Sequence, residues 1–337
     1  MAGTVLPNGR TGGFSGTTGS GQGELSCWPR GKPHDLAIKA GQIRPLLAAC
    51  FRHGKWVAAM NRSFAEIRYA QISPRQVLDL VVPDAATSPP LVVFIHGGAF
   101  RMGDKADSLR ERQALVDAGF AVASLNYRYS TEAIWPAQLN DLHAAFAFLR
   151  SHAGSFEFDA TRIASFGPSA GGHLSASVGI ALSATSETRL AASIVWFPPV
   201  DFPTMDADIE ATGVARATGR NDAPDSPESV LIGACLADHP DLARSTGPIA
   251  QLGLLPTGAK LPAFLIMHGA LDPYIAAAQA QKLHTAIAAH GTSPRLEFDI
   301  LPGGTHGGGD FEAPETMARV VAFLNAQFGR TGPQSQL

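Results

Sequence analysis

Short, unbroken apolar runs alternate in this chain with longer stretches of helical spacing, and that alternation limits its possible folds most. Leu91-Val92-Val93-Phe94-Ile95 is the clearest run. It is rich in β-branched residues, too short for a helix, and lacks the alternation of a half-exposed strand, so it reads as a strand covered on both faces. Runs of the same kind occupy Phe120–Leu125, Arg162–Phe166, Ala192–Phe197, Ala263–Met267 and Leu296–Leu301. Between them, residues 108–118, 137–152, 170–182, 275–290 and 315–328 carry apolar positions at helical spacing, and Pro136 stands where a first helical turn tolerates proline. Strands alternating with helices predict an α/β fold, a mostly parallel central sheet with helices on both faces.

Other segments fall outside this rhythm. From Ile43 to Ile67 the apolar residues recur three or four apart, which predicts a helical segment within residues 25–72, broken near Gly54. Gln76–Val82 partly alternates and predicts an edge strand. Residues 1–24, rich in Gly, Thr and Ser, predict a disordered tail, and residues 331–337 a second one. The α/β domain then covers residues 73–330, interrupted at about 198–260 by a stretch rich in Pro, Asp and Gly with only short helical pieces such as Pro227–Ala237. Open α/β sheets bind ligands outside the carboxyl ends of their strands. An insertion leaving a strand end at Phe197 is therefore expected to overhang that crevice as a cap or lid, with the N-terminal segment as a second part of it.

Composition limits the partners. Hydrophobic residues make up 45% of the 337 and charged ones 16%, enough for a large core. The net charge is −3 with both signs interspersed, which argues against nucleic acid as a partner. Cys27, Cys50 and Cys235 lie far apart in no metal-ligand spacing, so neither a metal site nor a disulfide framework is expected and a reducing compartment fits. No stretch is long and apolar enough to span a membrane or serve as a secretory signal, which predicts a cytoplasmic protein with no membrane partner.

Two glycine-rich turns follow strands. Gly167-Pro168-Ser169-Ala170-Gly171 joins the run ending at Phe166 to a helical segment. This is the G-x-S-x-G elbow in the strand–turn–helix context that gives it meaning: the turn is so tight that small residues must flank the serine, whose hydroxyl is presented at a helix N-terminus. His96-Gly97-Gly98-Ala99-Phe100 follows the strand ending at Ile95. Acyl transfer needs backbone N–H donors aimed at a developing oxyanion, and Gly98 and Ala170, with Gly97 or Ala99 as a third, are the candidates.

A serine hydroxyl needs a base, and the base an orienting acid. Downstream of Ser169, His306 lies in a glycine-rich loop just past Leu301, and Asp272 just past the strand ending at Met267. Asp310 and Asp201 are weaker rivals for the acid, while His96 and His268 head tight turns where a structural histidine is the usual explanation. Candidate substrate contacts adjoin these motifs: Phe100, Pro168, His173, Phe197, Tyr274 and Ile275. They suggest a pocket for an uncharged acyl or aryl group.

HGGAF at 96–100, NYRYS at 126–130, RIASFGPSAGGHLSA at 162–176, HGALD at 268–272 and GTHGGG at 304–309 together resemble the esterase/lipase branch of the α/β-hydrolase superfamily, in particular its feruloyl-esterase-like and hormone-sensitive-lipase-like carboxylesterases. The resemblance spans about residues 75–328. It implies the α/β-hydrolase fold, a Ser169–His306–Asp272 triad, hydrolysis of small-molecule esters without metal or organic cofactor, and it allows a homodimer. Ala99 departs from the hormone-sensitive-lipase pattern, which has a third glycine there. Amide chemistry of an arylformamidase or serine peptidase, and a receptor that has lost catalysis, remain open at this point.

Overall fold

The computed structural model describes residues 46–52 and 55–330. The tails expected at 1–24 and 331–337, and the part of the helical segment before residue 46, lie outside the described residues. A nine-stranded sheet runs through the rest in the order β1-β2-β3-β5-β4-β6-β7-β8-β9. Its strands are β1 (Leu46–Arg52), β2 (Lys55–Arg68), β3 (Val77–Pro83), β4 (Pro90–Ile95), β5 (Ala121–Leu125), β6 (Asp159–Pro168), β7 (Ala192–Trp196), β8 (Ala263–Gly269) and β9 (Leu296–Leu301). From β5 to β9 every neighbouring pair is parallel, whereas β1, β2 and β3 join antiparallel.

The apolar runs explain the layers. Along β4, Leu91, Val93 and Ile95 enter one core while Val92 and Phe94 enter another on the opposite face. The first core is closed by α2 (Ala137–Phe156) and α3 (Ala170–Ala181), through Leu142, Phe146, Leu149, Leu174 and Val178. The second is closed by α1 (Leu109–Asp117) and α9 (Pro314–Gln327), through Leu115, Val116, Val320 and Phe323. Ala280, Leu283 and Ile287 of α8 (Ala277–His290) cover Phe264 and Ile266 of β8 in a third cluster. Each such side chain, fully buried, contributes about 1.5–3 kcal/mol. The expected fold class is the one found. Among the described residues no helix is long and apolar enough to cross a membrane.

Two expectations are corrected. The segment read as helical is a pair of antiparallel strands, β1 and β2, in register from Leu46↔Asn61 to Arg52↔Lys55. A register shift between Phe64 and Ile67, with Glu66 at φ 55°, breaks the two-residue alternation that would have marked β2 as a strand. In turn β3 is no edge strand, because β2 pairs with it on one side and β5 on the other. Between β7 and β8 the chain forms only short helices: α4 (Met205–Thr212), α5 (Pro227–Ile232), α6 (Pro240–Thr246) and α7 (Pro248–Leu252).

Candidate active site

The two glycine turns lock into each other at the carboxyl ends of β4 and β6. Ser169 takes φ 56°, ψ −124°, a conformation L-residues rarely adopt, between β6 and the first turn of α3. Its N–H donates to Trp196 O (2.9 Å) and its carbonyl accepts from His173 N (3.0 Å). The flanking glycines are obligatory: a Cβ on Gly171 would sit 2.1 Å from Ile95 O, and one on Gly167 2.1 Å from Gly171 O. A Cβ on Gly97 would stand 3.0 Å from Pro168 O and 3.4 Å from Ser169 Cβ, so the backbone of the HGG turn lies against the serine. Ser169 makes no side-chain cap to α3, and its hydroxyl is left for another partner.

That partner is His306. The Ser169 hydroxyl donates to His306 Nε2 (2.9 Å), and His306 Nδ1–H donates to Asp272 Oδ2 (2.7 Å). Asp272 is buried, and its Oδ1 accepts the N–H groups of Tyr274 (2.8 Å) and Ile275 (3.0 Å). Burial alone would push this carboxyl up. His268 and His306, followed by the Ile275 amide, outweigh that effect and hold it well below the usual carboxylate range. The imidazole of His306 is confined by Phe197 and Tyr274, ring centroids 4.6 and 5.0 Å away. An ionised carboxylate, a tautomer-locked imidazole and a hydroxyl in line can move a proton off the hydroxyl without charging the acid.

Flanking residues hold these groups. His268 Nε2 donates to Ile275 O (2.9 Å) and stands 3.5 Å from Asp272 Oδ2. His96 donates from Nδ1 to Gly97 O (2.6 Å) and stacks on Tyr127, and burial lowers its pKa to about 4. Arg75 and Tyr129 donate to Gly103 O, at 3.2 and 2.5 Å, at the far end of the same loop. The rival acids are engaged elsewhere: Asp310 accepts from Gly303 N (2.7 Å) within the His306 loop, and Asp201 faces Lys282 (3.4 Å).

Ser169 and His306 open into a cleft of about 820 Å³. Gly97, Gly98, Ala99, Phe100, Pro168, Ala170, Phe197, Tyr274 and Ile275 all line it. His173 does not. It is fully buried, packs edge-on against Phe100 and Trp135, stacks on Phe202 and donates to Pro199 O (2.9 Å), so it supports the wall instead of forming it. Sequence reasoning missed a further part of the wall, where Met205, Asn221 and Glu228 of the β7–β8 segment line the same cleft. The only local signal there was Ser226-Pro227, an N-cap and first-turn proline that start α5 and place Glu228 in its first turn.

The BD-FAE family model matches residues 78–287. Esterase LipC of Mycobacterium tuberculosis is 27% identical over 289 residues, 82% of this chain and 66% of LipC. Esterase LipQ of the same organism is 26% identical over 326 residues, 91% of this chain and 71% of LipQ. Among solved structures, a truncated form of a carbohydrate esterase from gut microbiota superposes with a TM-score of 0.68 at 28% identity, covering 80% of this chain and 96% of that one. This chain therefore spans 66% of the length of LipC.

Proposed function

Since the chain belongs to the BD-FAE family of α/β-hydrolase esterases, its model covering residues 78–287, we propose that it is a serine carboxylesterase that cleaves small-molecule esters through an acyl-enzyme. The observation that carries this reading is the unbroken hydrogen-bond chain from Asp272 through His306 to Ser169, at 2.7 and 2.9 Å, opening into the cleft.

Ser169 Oγ attacks the ester carbonyl as His306 Nε2 takes its proton. The carbonyl oxygen, now negative, accepts from the N–H groups of Gly98 and Ala170, with Gly97 or Ala99 as a third donor. The positive end of α3 adds to this stabilisation. Since these donors are backbone groups, the methyl of Ala99 does not remove one. The tetrahedral intermediate expels the alkoxide, which receives the proton from His306. Water then gives a proton to His306 and attacks the acyl-enzyme, and the acid leaves as Ser169 recovers its proton. The β7–β8 segment acts as a cap, adding Met205, Asn221 and Glu228 to the cleft wall and meeting the Asp272 loop where Ala217 N donates to Pro273 O (2.9 Å).

The test is turnover of p-nitrophenyl acetate and butyrate together with labelling by a fluorophosphonate probe. Ser169→Ala is expected to lose about 10⁶ in kcat and all labelling. Turnover or labelling that survives this substitution refutes the assignment.

A further inference from the structure

Glu228 and Asn221 are polar residues that the proposed reaction leaves unused, and both belong to the cleft wall. Glu228 is 5% exposed and Asn221 8%, and neither Glu228 Oε2 nor Asn221 Nδ2 has a hydrogen-bond partner among the described residues. Leaving such a group unpaired is unfavourable, and proteins rarely do it without a reason. Among the described residues from 206 to 236, no other buried side-chain nitrogen or oxygen lacks a partner. Asp206 of α4 accepts from the backbone N–H groups of Asn221 and Asp222, both at 2.9 Å, and from the Arg216 guanidinium. Ser226 Oγ caps Ser229 N (3.0 Å), Ser229 Oγ accepts from Leu236 N (3.0 Å), and Arg101 donates to Asp225 O (3.2 Å).

We propose that Glu228 and Asn221 form a hydroxyl-recognition subsite, so that the enzyme favours esters bearing a free hydroxyl over their alkyl counterparts. The inference rests on the cleft being the ester-binding site. A carboxamide donor and a carboxyl oxygen in one wall match a hydroxyl, which accepts and donates at once. An alkyl group would leave both unpaired. An ammonium group would leave the Asn221 donor unpaired. Burial, reinforced by Asp206, pushes the Glu228 carboxyl up to about 7, so near neutral pH its protonated form donates as well as accepts.

The experiment uses the full chain and two matched ester pairs: propyl butyrate against 2,3-dihydroxypropyl butyrate, and methyl butyrate against methyl 3-hydroxybutyrate. Wild type is expected to favour the hydroxylated member of at least one pair by about 10- to 100-fold in kcat/KM. Glu228→Leu and Asn221→Ala bring that ratio towards one, and Glu228→Gln keeps most of it. A wild-type ratio near one in both pairs overturns the proposal, as does a ratio that survives Glu228→Leu or, should that variant not fold, Asn221→Ala. Fluorophosphonate labelling at Ser169 separates the failures. An unlabelled wild type refutes the esterase reading itself, whereas labelled variants with unchanged ratios refute only the subsite.

Discussion

At the elbow, a Cβ added to Gly167 or Gly171 would come within 2.1 Å of backbone, whereas one added to Gly219, which lines the cleft from the β7–β8 segment, would meet nothing within 4 Å; farther along that segment Gly247 is again closed, its Cβ 2.2 Å from Val200 O. The two sides of the cleft are thus built by different means. The triad side is fixed by interlocked main chain at the ends of β4 and β6, with no room for another atom. The β7–β8 segment is anchored by Phe202, Met205, Leu231 and Leu236 in the first core, while its loop around Asn221 is held by ion pairs and side-chain-to-backbone bonds, many of them exposed: Arg220, 57% exposed, meets Asp222 at 2.8 Å and Glu210 at 3.1 Å. Exposed pairs of this kind are screened by solvent and add little to stability. The contrast suggests that chemistry is anchored where backbone sterics allow no variation, and selectivity where side chains can be exchanged at little cost to the fold.

The largest expected effect lies on the triad side. Asp272→Asn keeps the shape but offers the wrong hydrogen-bonding pattern to His306 Nδ1, so kcat should fall by about 10⁴ with little change in thermal midpoint. Steady-state kinetics beside a melting curve check this, and a fall below tenfold would mean that His306 is oriented by something else. Next comes the comparison itself, put to Gly171→Ala and Gly219→Ala. The first should abolish folding or destabilise by about 3 kcal/mol or more, since backbone must move to admit the methyl. The second should lie within about 0.5 kcal/mol of wild type. Urea unfolding measures both, and equal effects would erase the distinction between the two sides.

The same distinction explains what could be read in the sequence. The elbow, the HGG turn and the loops bearing Asp272 and His306 are local patterns, each set by steric needs within five or six residues and each at the end of an apolar run. Strand Leu91–Ile95 was legible because it is buried on both faces and has no competing period. Strand Lys55–Arg68 was not, because the bulge at Glu66 disturbs its alternation and apolar residues three or four apart fit a helix equally well. Only pairing with β1 and β3 decides between the two. Glu228 and Asn221 were invisible for a related reason. Nothing in their neighbours along the chain says that Asp206, fifteen residues before Asn221, turns that loop towards the cleft. His173, one turn into α3 and close to Ser169 in sequence, shows the converse: nearness along the chain did not put it on the wall.

A smaller effect comes from Glu228 and has a definite sign. Its carboxyl is raised from 4.5 to about 7 in the fold by burial, so between those pH values the folded protein binds more protons than the unfolded chain. Stability contributed by the protonated group is therefore fully present below pH 4.5, lost as pH rises towards 7, and constant beyond. Glu228→Gln lacks this dependence. Relative to wild type it should gain about 3 kcal/mol between pH 4 and pH 8, as read from urea midpoints at the two pH values. A difference that stays flat with pH would mean that the carboxyl is solvated in solution.

The smallest predicted effect tests how the far wall is held. Asp206→Ala removes the acceptor of the Asn221 and Asp222 amides and the partner of Arg216, in a residue that is itself buried. Two backbone N–H groups then lose their acceptor inside the β7–β8 segment, with a local cost of about 1–2 kcal/mol. The interlocked glycines at the elbow share none of these bonds, so the triad should stay in place. KM should rise by about 5- to 20-fold for esters long enough to touch Asn221 and Glu228, with kcat on an acetate ester nearly unchanged. Hydrogen exchange at Asn221 and Asp222 should quicken while the amides of α3 keep their protection. Faster exchange in α3 would show instead that the two sides of the cleft are one cooperative unit, and that the division drawn from their glycines does not extend to their energetics.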